Sequence, residues 1–462
     1  MATRSTDGAR APGTPYQTYL DRDAQPPTPG VREHVWEPPE GEAEIPVERY
    51  VSRDFFELEK RRLWPKVWQM ACREEHIPEP GDYTLYEICD HAFIIARQDN
   101  GSIRAFYNAC LHRGRMLRTE PGSTRQFRCP FHGLTWGLDG QLQELPCAWD
   151  FPGVDPATLP LPQARVATWG GWVFLNMDEA APPLEDYLRP LPEHFATWGL
   201  SQSYLGVHVA KVIQANWKAV LDAFSEAWHS RDTHPQILPF TGDTNTRYDI
   251  WPDNPHVDRM ITPFGVPSPV LEGQIGEGDI LAAMAALGEG GRRPAGMAAI
   301  ELPEGVTGRQ IAASKARETA EAMWGRPLPD APESELLDGI LYNVFPNFVP
   351  WGGYGPNINY RFRPHGNDHE ACVMEVMLLL RHPADQPKPP PAELRWLEAD
   401  EPWSTATELG GLGAIFDQDN SNLPWVQRGM KATARRRLLL AHVQESRIRH
   451  YHGTLMHYLT GP

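Results

Sequence analysis

Two short arms, Cys110-Leu111-His112 and Cys129-Pro130-Phe131-His132, lie sixteen residues apart and bring two thiols and two imidazoles into one stretch of this chain. Paired, hairpin-like spacings of this kind bind a metal. Zinc accepts both ligand types in a closed tetrahedron. A two-iron, two-sulfide cluster accepts them too, when two imidazoles replace two thiolates on one of its irons. The order of the donors favours the cluster. A zinc finger usually keeps its cysteines together and its histidines together, whereas each arm here carries one of each. One iron held by thiolates and the other by imidazoles needs that order.

With 462 residues, 41% of them hydrophobic, the chain is long enough for two or three domains with substantial cores. No run of eighteen apolar residues occurs, and the first thirty residues hold charges and prolines, so the expected address is the cytoplasm with no membrane partner. The remaining cysteines, Cys72, Cys89, Cys147 and Cys372, are far apart and read as reduced, buried thiols. A net charge of −17 argues against nucleic acid, because a polyanion would be repelled by most of the surface. The stretch between the two arms is a local exception. Arg113, Arg115, Arg118, Arg125 and Arg128 stand there against Glu120 alone, either as a solvated loop or as a docking patch for an acidic electron donor.

Periodicity divides the chain unevenly. Residues 1–45 are rich in Pro, Gly, Glu and Ala and read as a flexible arm without chemistry. Phe55, Leu58, Leu63 and Val67 predict an amphipathic helix across 53–70, kinked or divided at Pro65. Short β-type runs at 83–86, 92–95 and 172–175, separated by turn residues, predict a small all-β domain, so that 46–177 forms one domain with its preceding helix. The rest, 178–462, mixes strands near 204–207, 340–345, 358–362 and 372–380 with helices, one of them over 217–231 and one or two more over 425–459. Residues 265–338 read as an insertion and a candidate lid.

A second constellation follows Asn216-Trp217-Lys218. On a helix across 217–231, Asp222, Glu226 and His229 fall at i, i+4 and i+7 and share one face. His234 precedes Pro235, which disfavours helix at the residue before it, so a turn there can point His234 back toward His229. Two imidazoles and a carboxylate make the open facial site of non-haem Fe(II) oxygenases. Taken alone, the pair also reads as two ordinary hydrogen-bonded histidines.

Together the motifs resemble the α (catalytic) subunit of the Rieske non-haem iron oxygenases, the aromatic-ring-hydroxylating oxygenase family, from about Phe55 to the C-terminus. Cys110-Leu111-His112-Arg113-Gly114 and Cys129-Pro130-Phe131-His132-Gly133 match its Rieske signature, and Glu226, His229 and His234 match its acid–His–His spacing after Asn-Trp-Lys. The resemblance implies an α+β protein: a small all-β Rieske [2Fe-2S] domain beside a larger, helix-grip-like catalytic domain with an antiparallel sheet and helices. It implies Cys110, His112, Cys129 and His132 as cluster ligands, and His229, His234 and a downstream Asp as ligands to a mononuclear Fe(II). Counting back from Gln427-Arg428-Gly429 favours Asp419 for that role, with Asp417 as the rival. Glu226 matches the acid that links a cluster in one subunit to the iron of its neighbour. Most relatives carry Asp there, and the longer Glu resembles the choline- and carnitine-type monooxygenases. Asp222 is read as an orienting partner of His229 or Glu226, or as a plain helix-surface carboxylate.

The implied activity is hydroxylation of an aromatic or largely apolar organic substrate with O2 and electrons from NAD(P)H. The electrons would come through a separate reductase or ferredoxin, since no dinucleotide fingerprint follows a strand here. The assembly implied is a homotrimer, with or without a small β subunit. Phe224, Trp228, Phe345, Phe348, Trp351, Ile415, Phe416 and Trp425 are the tentative pocket walls. Alternatives are a monooxygenase or demethylase of a quaternary ammonium, methoxy or N-methyl substrate, a Rieske electron carrier, and a zinc-stabilised binding module.

Overall fold

The computed structural model describes residues 13–36, 43–288, 299–355 and 357–461, which form two compact units. Glu57–Tyr187 and the short stretch Pro364–Asn367 make one unit, and the remainder makes the other. Among the described residues, no helix is long and apolar enough to cross a membrane.

The smaller unit is almost entirely β. A seven-stranded sheet runs in the order Gln69–Arg73, Trp172–Asn176, Gln163–Trp169, Ile103–Tyr107, His91–Arg97, Asp82–Ile88 and Gly122–Ser123. A three-stranded sheet of Gln126–Arg128, Thr135–Gly137 and Leu142–Glu144 completes it. Their shared core holds Ile94, Phe106, Phe127, Leu134 and Trp136, and also both Cys110 and Cys129. The preceding helix is shorter than its periodicity suggests, covering Arg53–Arg62 and stopping before Pro65. Proline lacks the N–H that the helix would need there.

The larger unit is built on an eight-stranded sheet. Five strands, Arg247–Ile250, Val257–Thr262, Gly339–Val344, Phe348–Pro350 and Asn357–His365, lead to Asp368–Arg381, which pairs antiparallel with Ser203–Ile213. Arg395–Leu397 adds a parallel edge. Helices Trp217–Ala223, Leu412–Ala432 and Ser446–Thr460 pack against this sheet. The strand Asn357–His365 shows how side chains sort across it. Tyr360 and Phe362 turn to Phe224, while Arg361 and Arg363 pair with Glu375 on the opposite face.

Two expectations, on the N-terminal arm and on the spare cysteines, need correction. The arm over 1–45 is not loose where it is described. Tyr16 donates to Asp338 at 2.9 Å, and the guanidinium groups of Arg247 and Arg259 donate to the carbonyls of Val31 and Gly30, each at 2.6 Å. Both arginines are buried and need acceptors, and the arm supplies them. Residues 1–12 and 37–42 of that arm lie outside the described residues. The insertion over 265–338 carries helices Glu277–Gly288, Gly308–Trp324 and Glu333–Leu337, tied at its base by Arg309 donating to Asp338 at 2.6 and 3.0 Å. Residues 289–298 lie outside the described ones. Among the four cysteines outside the two arms, Cys72 and Cys372 are buried, but Cys89 is half-buried and Cys147 is exposed.

Candidate functional site

In the smaller unit the two Cys-His arms fold as the same turn. Cys110 N–H donates to Arg115 carbonyl at 2.8 Å and Gly114 N–H to Cys110 carbonyl at 2.9 Å. In the second arm Cys129 N–H donates to Leu134 at 2.8 Å and Gly133 N–H to Cys129 at 3.0 Å. Gly114 and Gly133 close these turns at φ +74° and +83°, a conformation that a side chain would strain. The turns aim backbone N–H groups at the sulfurs: those of His112 and Arg113 at Cys110, and those of Phe131 and His132 at Cys129. The two thiols are close enough to share a hydrogen bond. Burial raises the Cys110 thiol. At Cys129 burial also raises it, but the backbone donors and its neighbours prevail and leave it lowered. The histidine rings lie 4.6 Å apart, edge to face, on the exposed side of the buried sulfurs.

Two buried sulfurs with N–H donors and two exposed imidazoles suit a [2Fe-2S] cluster of mixed ligation. A single tetrahedral zinc fits less well. Among the described residues, the group that brings three ligand atoms within 4.8 Å of one another is His229, His234 and Asp419, and no set from the two arms does so. The basic stretch is partly committed to structure. Arg118 donates to the carbonyls of Leu117 and Gln126, while Arg125 pairs with Asp99 and Arg128 with Glu144. Arg113 lies over the exposed Phe131 ring at 5.2 Å, and Arg115 donates to Met116 carbonyl.

In the larger unit Asn216 caps helix Trp217–Ala223 by accepting from Lys218 N–H at 3.0 Å, and its own N–H donates to Gln427 at 3.0 Å. The helix ends at Ala223, so Asp222, Glu226 and His229 do not share one helical face. Instead Glu226 folds back on the chain. One carboxylate oxygen accepts from His229 N–H at 3.1 Å, and the other lies 2.7 Å from His229 Nδ1. A four-residue helix, Ser230–Thr233, then leads to His234 at φ −124° before Pro235. The two imidazoles meet edge to face with centroids 5.2 Å apart.

Asp419 comes to them from helix Leu412–Ala432. Its Oδ1 is 3.0 Å from His234 Nε2 and 3.6 Å from His229 Nε2. Each ring's Nδ1 is held elsewhere, His229 by Glu226 and His234 by Gln418 at 2.8 Å, so both Nε2 atoms face the carboxylate. Burial alone would lower the His229 imidazole, but Glu226 and Asp419 hold it up to about 9. Asp417 is engaged otherwise, accepting from the N–H groups of Trp403 and Ser404 at 2.6 and 3.2 Å. Asp222 also turns elsewhere. It accepts from Tyr50 hydroxyl at 2.7 Å, and that hydroxyl lies 2.8 Å from His452 Nε2.

The aromatic residues divide between separate places. Phe224 and Phe416 meet Tyr360, at 4.9 and 6.0 Å between centroids, and Trp351 meets Tyr360 at 6.4 Å. Phe345 instead packs with Tyr451 and Tyr458. Phe348 pairs with Arg361 in register and so faces away from Tyr360, whose own partner is Val349. Trp228 and Trp425 are exposed, at 45% and 65%, the latter under Arg428. Sequence reasoning missed Tyr360 and Phe362, which the strict alternation of residues 358–363 could have flagged. It also missed Gln236 and Gln418, which no spacing rule marks.

Residues 67–156 match the Rieske [2Fe-2S] domain family, and residues 194–461 match the ring hydroxylating alpha subunit (catalytic domain) family. The glycine betaine monooxygenase oxygenase subunit of Chromohalobacter salexigens is 31% identical over 204 residues, 43% of this chain and 45% of that protein. The large oxygenase component of the naphthalene 1,2-dioxygenase system of Pseudomonas putida is 34% identical over 200 residues, 40% and 43% respectively. The chain thus spans less than half the length of these curated relatives in the matched segments. Among solved structures, a quaternary ammonium Rieske monooxygenase in complex with L-carnitine superposes with TM-score 0.60 at 17% identity, covering 90% of this chain and 95% of that one. Naphthalene 1,2-dioxygenase from Rhodococcus sp. bound to indole does so with TM-score 0.59 at 21%, covering 91% and 95%. These likenesses concern the fold. The catalytic-domain match alone takes in more than half of the 462 residues, and the chain belongs to the ring-hydroxylating oxygenase α-subunit family, with a Rieske [2Fe-2S] domain ahead of its catalytic domain.

Proposed function

We propose that this chain is the oxygenase component of a Rieske system that hydroxylates a largely apolar, aromatic organic substrate with O2, drawing electrons from NAD(P)H through a separate reductase or ferredoxin. The observation that carries the reading is the convergence of His229, His234 and Asp419, with each imidazole presenting Nε2 to the same carboxylate. Two histidines and one carboxylate on one side of an ion leave its other positions free. A ferrous ion held there supplies dioxygen chemistry that side chains lack, and the cluster supplies single electrons.

The protein's own part is to hold and to exclude. Glu226 fixes the His229 ring and is proposed as the link toward the cluster of a neighbouring copy, in a trimer with or without a small β subunit. Phe224, Phe362 and Phe416 gather around Tyr360, whose hydroxyl is raised by burial and then by the charge of Asp419. Such rings suit a flat apolar substrate. The quaternary-ammonium reading is the second, favoured by the same ring faces, which attract cations, and by Glu at position 226.

A single-turnover assay separates the two. Iron-loaded, dithionite-reduced protein is exposed to 18O2 with naphthalene, indole or glycine betaine. Labelled hydroxylated product from the aromatic compounds, dependent on His229, supports the first reading. Demethylation of the betaine alone, read as dimethylglycine and formaldehyde in equal amounts, favours the second, and no oxidised product from any of the three counts against both.

A further inference from the structure

His229 and His234 point at the same place from different supports. His229 leans on a carboxylate, which can only accept. His234 leans on the amide of Gln418, whose Oε1 lies 2.8 Å from His234 Nδ1 and 2.6 Å from Gln236 Nε2. Gln418 Nε2 in turn donates to Gln236 Oε1 at 3.2 Å. The two amides close a ring between the turn after His234 and the helix residue next to Asp419.

An amide offers an acceptor on one side and a donor on the other, so the ring restricts the histidine. With the oxygens as placed, His234 donates through Nδ1, so Nε2, 3.0 Å from Asp419 Oδ1, is the ring nitrogen left to give its lone pair to a metal. Turning one amide alone would set NH2 against NH2 and oxygen against oxygen. Turning both preserves every hydrogen bond, but it presents NH2 to Nδ1 and moves the ring proton to Nε2, where a metal would bind. One of the two closed arrangements is therefore competent to ligate and the other is not.

We infer that Gln418 and Gln236 are positioning residues that set the tautomer of His234, and that metal affinity at this site depends on an acceptor at position 418. The inference rests on the reading of His229, His234 and Asp419 as the iron site. Neither glutamine touches the reacting atoms. Loss of an outer partner to a metal-binding histidine weakens metal affinity by ~10–100-fold. Gln418→Leu should show a loss of that size, and so should Gln418→Lys, which can only donate. Gln418→Glu, an acceptor like Glu226, should bind at least as tightly as the parent. Gln236→Leu frees Gln418 to turn and should fall between.

The test is anaerobic titration of the full chain, its cluster intact, with Co2+, followed by the visible ligand-field bands of the ion at the mononuclear site. Circular dichroism checks that each variant is folded, and Asp419→Ala serves as the control for the site itself. Weak binding by the Leu and Lys variants with recovery in the Glu variant is the expected result. A purely packing role would not distinguish Lys from Glu in this way. If Asp419→Ala abolishes binding while Gln418→Leu binds within twofold of the parent, the inference fails and the site stands. Equal weakness of the Glu and Leu variants would overturn it as well. Undiminished binding by Asp419→Ala would overturn both the inference and the site.

Discussion

Glu226 grips His229 at two points, the backbone N–H at 3.1 Å and the ring Nδ1 at 2.7 Å. The first contact replaces the helical hydrogen bond that His229 N–H would otherwise make, and the second sets the ring so that Nε2 faces Asp419. Glu226→Gln keeps an acceptor for one contact, whereas Glu226→Ala keeps neither. The expected outcome in equilibrium iron binding is a loss of ~10–100-fold for Ala and a smaller loss for Gln. The visible spectrum of the cluster should be the same in both.

Asp417 and Asp419 lie two residues apart on one helix and have separate tasks. Asp419→Ala is expected to abolish the third iron with little change in melting temperature. Asp417→Ala should retain that iron and lose about 1 kcal/mol of stability, because the N–H groups of Trp403 and Ser404 lose their acceptor. Iron analysis and thermal melts of the two variants check the division.

Glu445 provides the pH prediction. Burial raises its carboxyl from 4.5 to about 7. Ala441 N–H opposes the rise, and the charges of Glu226 and Asp222 add to it. The folded protein thus holds this proton more tightly than the unfolded chain. Its stabilising contribution is complete below about pH 4.5 and is lost as pH rises through about 7. Glu445→Gln carries no such proton. Melting temperatures of parent and variant should be similar at pH 5, with the variant gaining an advantage of at most ~3 kcal/mol by pH 8. A gap that does not change between these pH values would contradict the assignment.

Much of this architecture was legible in the sequence, for identifiable reasons. The strand Asn357–His365 advertises itself by alternation, and the two Cys-His arms by a shared local spacing that needs no distant contact. What failed depended on side-chain bonds to the backbone or on partners remote in sequence. A helix through 217–231 is sound by periodicity, yet Ser225 hydroxyl bonds back to Leu221 carbonyl and Glu226 takes His229 N–H, so the chain bends at the site. The residues of the N-terminal arm look disordered by composition, and buried partners far along the chain, Arg247, Arg259 and Asp338, explain why they are held. Phe348 and Tyr360 are both aromatic, and their opposite faces follow from strand register, which periodicity within one strand does not reveal.

The most direct measurement is iron, zinc and acid-labile sulfide per chain, with the visible spectrum, on protein made anaerobically with ample iron. About three irons and two sulfides are expected, with a red-brown spectrum that bleaches on reduction. In His229→Ala about one iron should be lost with the spectrum intact. Zinc without sulfide, or a spectrum that disappears along with the His229-dependent iron, would contradict a chain with two separate iron sites.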